Sequence, residues 1–190
     1  MKNPFTSYPD YLAQERASAH KHEYLRGDVW AMAGGTPEPG RLAMSMGAVL
    51  RAALKGKPCV VYSSDVRVRI EATDRSTYPD ASVVCGPEQH ASDDAEAITN
   101  PVVLIEVLSP NTERSDRGEK FAHYQRLSSL QEYVLVSQEA PRVEVFRRQG
   151  ESWLLTIHER GASVTLPSIG ATFTVDEVYF DPRTASPSPT

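Results

Sequence analysis

The segment Val102-Val103-Leu104-Ile105-Glu106-Val107-Leu108 constrains the fold of this chain more than any other. Side chains alternate across a strand, so a run that is apolar at both parities has to be covered on both faces. It predicts a central strand, ended by Ser109-Pro110-Asn111-Thr112. Glu106 is the exception within it. An ionised carboxylate buried without a partner costs several kcal/mol or takes up a proton. Glu106 therefore reaches solvent at the strand end, is satisfied by an Arg, or has a task.

The rest of the chain supplies the layers. Ser7 to Ala19 reads as a helix with Tyr8, Leu12 and Ala19 inward and Ser7 or Asp10 as its cap. Glu23 to Leu25 and Asp28 to Met32 flank Arg26-Gly27 as a hairpin. Gly34 to Gly40 reads as a loop, and Arg41 to Lys55 as a helix with Leu42, Met46, Val49, Leu50 and Leu54 on one side. Val66, Val68 and Ile70 alternate with Asp65, Arg67 and Arg69, which predicts a strand with one buried face. Tyr78 to Cys85 reads as a further strand, Gly86 to Asn100 as a surface loop, and Ser115 to Leu127 as a helix capped by Asp116 and Glu119. Strands at Glu132 to Ser137, Arg142 to Arg148 and Trp153 to Glu159 follow. This mixture without βαβα alternation predicts an α/β or α+β domain around a mixed sheet, over residues 5–180, with a disordered tail at 181–190.

Composition removes some functions and locates others. A chain of 190 residues with 40% hydrophobic content can bury its own core without disulfides or a structural metal. It has neither a long apolar span nor a signal-peptide pattern, so a cytoplasmic protein without a membrane partner is expected. Cys59 and Cys85 stand outside any C-x-x-C pattern and are expected to be buried free thiols. The net charge of −5 argues against a protein that coats nucleic acid nonspecifically. That deficit is local: seven acids lie between Glu71 and Asn100 against Arg75 alone, so local contact with DNA stays open.

Asp80, after Pro79, gives Glu106 a second carboxylate to work with. If their strands are neighbours and both face one way, the two acids repel unless a cation lies between them. Hard oxygen donors with open positions suit Mg²⁺, which keeps several waters and is held by one or two carboxylates plus phosphate. Such a cation lowers the pKa of a bound water and stabilises charge on a phosphoryl oxygen. Lys120 borders the apolar side of its helix and can extend toward the central strand, although an i,i+4 surface pair with Asp116 is the ordinary reading of that spacing.

Tyr78-Pro79-Asp80, the stretch Asn100 to Thr112, Asp116-Arg117-Gly118-Glu119-Lys120-Phe121 and Leu130-Gln131-Glu132-Tyr133 together resemble the Uma-two family of restriction-endonuclease-like proteins, in the PD-(D/E)XK nuclease superfamily. The resemblance runs from about Tyr8 to Tyr179. It implies a restriction-endonuclease-like core, a mixed sheet flanked by helices, holding Mg²⁺ (or Mn²⁺) against a scissile phosphate of DNA. Asp80 and Glu106 match the metal-binding acids of its motifs, and Glu23 matches an early acid expected to approach the metal.

Two departures accompany it. The superfamily's Lys two residues after the Glu is replaced by Leu108, and Lys120 matches the helix Lys that takes this role in Uma-like proteins. Many relatives also carry a His after Pro-Glu, where this chain has Pro39 after Pro37-Glu38. Asp65 matches a recurrent position as well and reads as a supporting residue.

The resulting expectation is a Mg²⁺-dependent endonuclease acting on DNA, with Asp80, Glu106, Glu23 and Lys120 at its centre. Arg67, Arg69, Arg114 and Arg117 are expected phosphate contacts, and the resemblance implies a homodimer. The alternative is a non-catalytic module that keeps the nuclease fold to bind DNA or protein, which the altered loop favours and the clustered acids oppose. His20, His22 and His123 lack metal-ligand spacing, with His123 able only to flank the site.

Overall fold

A computed structural model describes residues 5–32 and 36–184. The Gly34-Gly35 loop and the end of the tail lie outside the described residues. Helix α1 (Tyr8–Ala17) starts with Ser7 as its N-cap, where the Ser7 side chain accepts from the backbone N–H of Asp10. Hairpin β1 (His22–Leu25) and β2 (Asp28–Ala31) turns on Arg26 and Gly27, both at positive φ, as a two-residue turn between right-twisted strands requires. Helix α2 begins at Pro37 and runs to Ala53, four residues earlier than the apolar spacing indicates. Proline suits a first helical turn because the N–H it lacks has no partner there.

Strands β3 (Cys59–Ser63), β4 (Arg67–Ile70), β5 (Arg75–Thr77) and β6 (Ala81–Cys85) follow; β5 was not anticipated, and β6 starts at Ala81, past Pro79, where a strand from Tyr78 was expected. The acidic stretch taken for a loop holds strands β7 (His90–Ala91) and β8 (Asp94–Ile98). The apolar run forms β9 (Val103–Val107), buried throughout. The next helix is composite: α3 (Glu113–Ser115), a π-helical turn over Asp116–Lys120, and α4 (Phe121–Tyr124). Asp116 therefore lies inside the helix and caps nothing. Strands β10 (Glu132–Val136), β11 (Arg142–Gln149) and β12 (Ser152–Glu159) match expectation. The hairpin β13 (Ser163–Leu166) and β14 (Ala171–Thr174) and helix α5 (Val175–Tyr179), capped by Thr174 and Glu177, were not anticipated.

Two six-stranded sheets result, ordered β2-β1-β5-β4-β8-β7 and β12-β11-β10-β9-β6-β3. In the second, β9 is parallel to β10 and antiparallel to β6, a mixed and central position. One face of that sheet packs on Leu42, Met46 and Leu50 of α2 and on β13, β14 and α5. The other face, with Leu104, Tyr133 and Leu135, meets Phe121 and Tyr124 of α4 and Val68 and Ile70 of β4. The core of the domain is thus two apolar layers with β9 between them, as a strand apolar on both faces demands.

Cys59 and Cys85 do not remain free thiols: they form a disulfide between β3 and β6. They are directly opposed in the register, with Cα atoms 4.0 Å apart, and the neighbouring Gly86 N–H to Pro58 carbonyl bond marks them as a non-hydrogen-bonded pair, where side chains come closest. Thiols 26 residues apart carry no sequence signal of this adjacency, because strand pairing alone creates it.

Candidate functional site

Glu106 shares the parity of Leu104 in β9, so it points toward the composite helix, in the layer between the two sheets. Ala81 pairs with Ile105, so the preceding Asp80 falls opposite Glu106 across the antiparallel β6–β9 pair. Pro79 ends strand pairing there and leaves Asp80 at the mouth of the layer, where its Oδ2 accepts the Val107 N–H at 2.7 Å. The composite helix brings Asp116, Lys120 and Tyr124 to the same side at intervals of four. Lys120 Nζ lies 2.8 Å from Glu106 Oε1, 3.5 Å from Glu23 Oε1 and 3.4 Å from Asp116 Oδ1. Tyr124 donates its hydroxyl to Glu106 Oε1 at 2.7 Å.

Glu23 arrives from β1 in the other sheet. Its Oε1 accepts from the Thr77 hydroxyl at 2.6 Å and its Oε2 from Arg75 at 3.0 Å. Both oxygens therefore have protein donors. Glu106 is different: both of its protein donors converge on Oε1, and Oε2 has none among the described residues. Asp80 likewise uses only Oδ2. Two opposed carboxylates each keep one oxygen uncommitted.

Burial, followed by repulsion from Asp116 and Asp80, pushes the Glu106 carboxyl up to about 8, with the Lys120 ammonium opposing. Burial also raises Asp80, against the Val107 N–H and Lys120. For Glu23 burial acts in the same direction but is outweighed by Lys120, Thr77 and Arg75, which hold it below the usual range. Lys120 is buried too, yet Glu106, Glu23 and Asp116 more than offset the desolvation and keep it charged. Glu23, Asp80, Glu106 and Asp116 outnumber Lys120 and Arg75, and Arg75 is shared with Glu119, so the cluster carries negative charge in excess when all are ionised. Among the described residues no three His, Cys, Asp or Glu side chains form a ready ligand set. The donors available, two uncommitted carboxylate oxygens, fit Mg²⁺, which is held by one or two carboxylates, better than a metal that needs an all-protein cage.

The structure thus brings Glu23, Asp80, Glu106 and Lys120 together. Asp116, Tyr124, Arg75 and Thr77 complete the cluster and were not anticipated as part of it. The i, i+4, i+8 spacing of Asp116, Lys120 and Tyr124 was a usable signal, as was Arg75, the lone base of an acidic stretch. The four arginines divide. Arg67 is buried, donating to Asp94 at 2.7 and 3.0 Å and to Tyr78. Arg69 is buried against Asp74 and Asp93, with its guanidinium 3.6 Å over the Tyr8 ring. Neither offers a free guanidinium to a phosphate, because the strand expected to have one buried face is covered on both. Arg117 is partly exposed and bonded to Glu113 and Glu144, while Arg114 is exposed. Asp65 is exposed on Lys21, and His123 Nε2 faces Glu119 at 3.9 Å.

Residues 8–176 match the family described as "Uma2: Putative restriction endonuclease". The chain belongs to the Uma2 family. Within reach of it are two cyanobacterial proteins of Synechocystis. Uncharacterized protein slr1290 is 34% identical over 177 residues, covering 93% of this chain and 92% of the relative. Uncharacterized protein sll1609 is 30% identical over 148 residues, covering 77% and 84%. The crystal structure of a "putative nuclease belonging to DUF820" from Anabaena variabilis shares the fold, with a TM-score of 0.70 at 18% identity over 85% of this chain and 91% of that one. The Uma2 core is thus a mixed α+β nuclease-like fold, and the acidic cluster lies between its two sheets.

Proposed function

We propose that this Uma2 protein is a Mg²⁺-dependent endonuclease that hydrolyses DNA phosphodiester bonds. The observation that carries the reading is the opposition of Asp80 and Glu106 on adjacent strands, each with an uncommitted oxygen, beside a buried ammonium. Asp80 and Glu106 would hold the divalent cation, which supplies charge neutralisation at a phosphoryl oxygen and a more acidic bound water. Lys120, fixed by Glu106, Glu23 and Asp116, presents a positive charge where the attacking water and the pentavalent phosphorus develop negative charge. Glu23, with both oxygens bonded, orients Lys120 from the second sheet. Tyr124 fixes the Glu106 rotamer so that Oε2 keeps its direction. Arg114 is the exposed guanidinium best suited to a flanking phosphate.

Incubation of supercoiled plasmid with the protein and Mg²⁺ or Mn²⁺ tests this directly. Nicked and linear products are expected from the wild type and not from Asp80→Ala or Lys120→Ala. Equal cleavage by all three would sink the site, and DNA binding without metal binding or cleavage would favour the non-catalytic alternative.

A further inference from the structure

The outer edge of β12 is the end of its sheet, and no strand among the described residues pairs with it. Its eight residues pair one for one with β11, from Ser152 against Gln149 to Glu159 against Arg142, without a bulge. Edge strands are ordinarily guarded by shortness, bulges, proline or inward charge. The other sheet ends are short, with two residues in β7, four in β2 and five in β3. On β12, Ser152 to Ile157 carries no charge and no proline, and Leu154, Leu155 and Ile157 are 43%, 41% and 49% exposed.

The layer beneath this edge is also incomplete. Trp153 packs edge-on against Phe121 at 5.2 Å, and Phe121 in turn packs on Phe146 at 4.6 Å. Phe146 and Trp153 are only partly buried, so the aromatic layer under the composite helix ends half-covered at the sheet edge.

We propose that β12 pairs antiparallel with β12 of a second copy, centred on Leu155, so that two sheets join into one through a homodimer interface. The β11–β12 hairpin has a two-residue turn, Gly150-Glu151, which makes Gln149 and Ser152 the closing hydrogen-bonded pair. Alternation from there sends the N–H and C=O groups of Trp153, Leu155 and Ile157 outward. A twofold axis normal to the sheet matches residues of equal parity, which leaves five registers centred within Trp153–Ile157; centring on Leu154 sets Ile157 against Glu151, and centring on Thr156 sets Trp153 against Glu159. Centring on Trp153 sets Leu155 against Glu151, and centring on Ile157 sets Leu155 against Glu159. Centring on Leu155 sets Leu155 against itself, Trp153 against Ile157 and Leu154 against Thr156, with about six new backbone hydrogen bonds. Only this register keeps every residue from Trp153 to Ile157 opposite an uncharged one. Such self-complementarity favours a second copy over an unrelated strand. Glu151 then meets Glu159 at the two exposed ends, so added salt strengthens the pairing. The same axis keeps both acidic clusters on one side of the joined sheet, but the inference rests on the edge and is independent of nuclease activity.

Sedimentation equilibrium at high micromolar concentration, with the intact chain, reads the outcome. The wild type is expected as a dimer, and Leu155→Lys and Ile157→Lys are expected to halve the mass with an unchanged circular dichroism spectrum, since both side chains are already exposed. Leu155→Cys is expected to form a disulfide-linked dimer on mild oxidation, whereas Thr156→Cys, whose opposite residue is Leu154, is not. A monomeric wild type, or a dimer that survives both lysine substitutions, overturns the proposal. So does equal cross-linking of the two cysteine variants.

Discussion

Lys120 Nζ lies 2.8 Å from Glu106 Oε1, the ammonium of a helix meeting the one carboxylate of the central strand. The superfamily pattern puts a lysine on the strand itself. Here the strand position is Leu108, which packs in the apolar layer, and the charge comes from across that layer. Lys120→Met leaves Glu23, Glu106 and Asp116 without their shared cation. A loss of about 3 kcal/mol in urea unfolding is expected, as for a broken buried ion pair. Cleavage is expected to fall at least 100-fold, on the order of what a charge aimed at a transition state contributes. Full cleavage by a folded Lys120→Met would exclude a role for this ammonium.

Metal binding should depend on Asp80 and Glu106 together. Titration calorimetry with Mn²⁺ is expected to show one strong site in the wild type and at least ~10-fold weaker binding in Asp80→Asn, where one ligand charge is lost. Saturating metal at about 100 times the wild-type dissociation constant should raise wild-type stability by about 2.7 kcal/mol and that of Asp80→Asn, at ~10-fold weaker affinity, by no more than about 1.4 kcal/mol. Equal stabilisation of both proteins would place the cation elsewhere.

Tyr124→Phe separates positioning from packing. The ring stays against Tyr133, 5.3 Å away, while the hydrogen bond to Glu106 disappears. Stability is expected to change by about 1 kcal/mol, and kcat to fall roughly 10-fold with KM for DNA unchanged. A change confined to KM would argue that Tyr124 acts on binding.

The Arg67–Asp94 pair should make stability acid-sensitive. Burial raises the Asp94 carboxyl, but the bonds and charge of Arg67 and the Tyr8 hydroxyl outweigh it and hold it below the usual range. A depressed folded pKa contributes stability above the unfolded value near 4, and the contribution is lost as pH falls through the lower folded value. Asp94→Asn is therefore expected to unfold at lower urea at about pH 7, by about 3 kcal/mol, with the difference shrinking toward about pH 3. A constant difference across that range would mean that the carboxylate charge is irrelevant.

Reduction tests the covalent tie between β3 and β6. Closing a loop across 26 residues is worth about 3 kcal/mol in the unfolded-state entropy model. Dithiothreitol, or Cys59→Ala with Cys85→Ala, should lower stability by that amount. Plasmid cleavage below the melting temperature should persist, because β3 contributes no side chain to the cluster.

Much of the site was legible because its signals are local. Glu106 stands out as a charge in an apolar strand, Asp80 follows a proline, and Lys120 borders a helical face. Asp116 was misread because its spacing to Glu119 imitates a cap, and only the helix start at Glu113 places it within the helix. Arg67 and Arg69 read as a polar face because alternation says which residues share a side, not whether a second layer covers it. The β7–β8 hairpin was hidden by acids that turn out to satisfy those arginines, as Asp94 and Asp93 do.

The sequence by itself determined the central strand, the flanking helices and Asp80, Glu106 and Lys120 as residues worth examining, since hydrophobic periodicity and a misplaced charge are properties of short segments, while Glu23 stood out only through the family resemblance. Tertiary structure alone decided that Asp80 faces Glu106, that Glu23 reaches Lys120 from another sheet, and that Cys59 meets Cys85. These are contacts between residues far apart in the chain, fixed by strand register and layer packing, and no local pattern encodes which strand a given strand will lie beside.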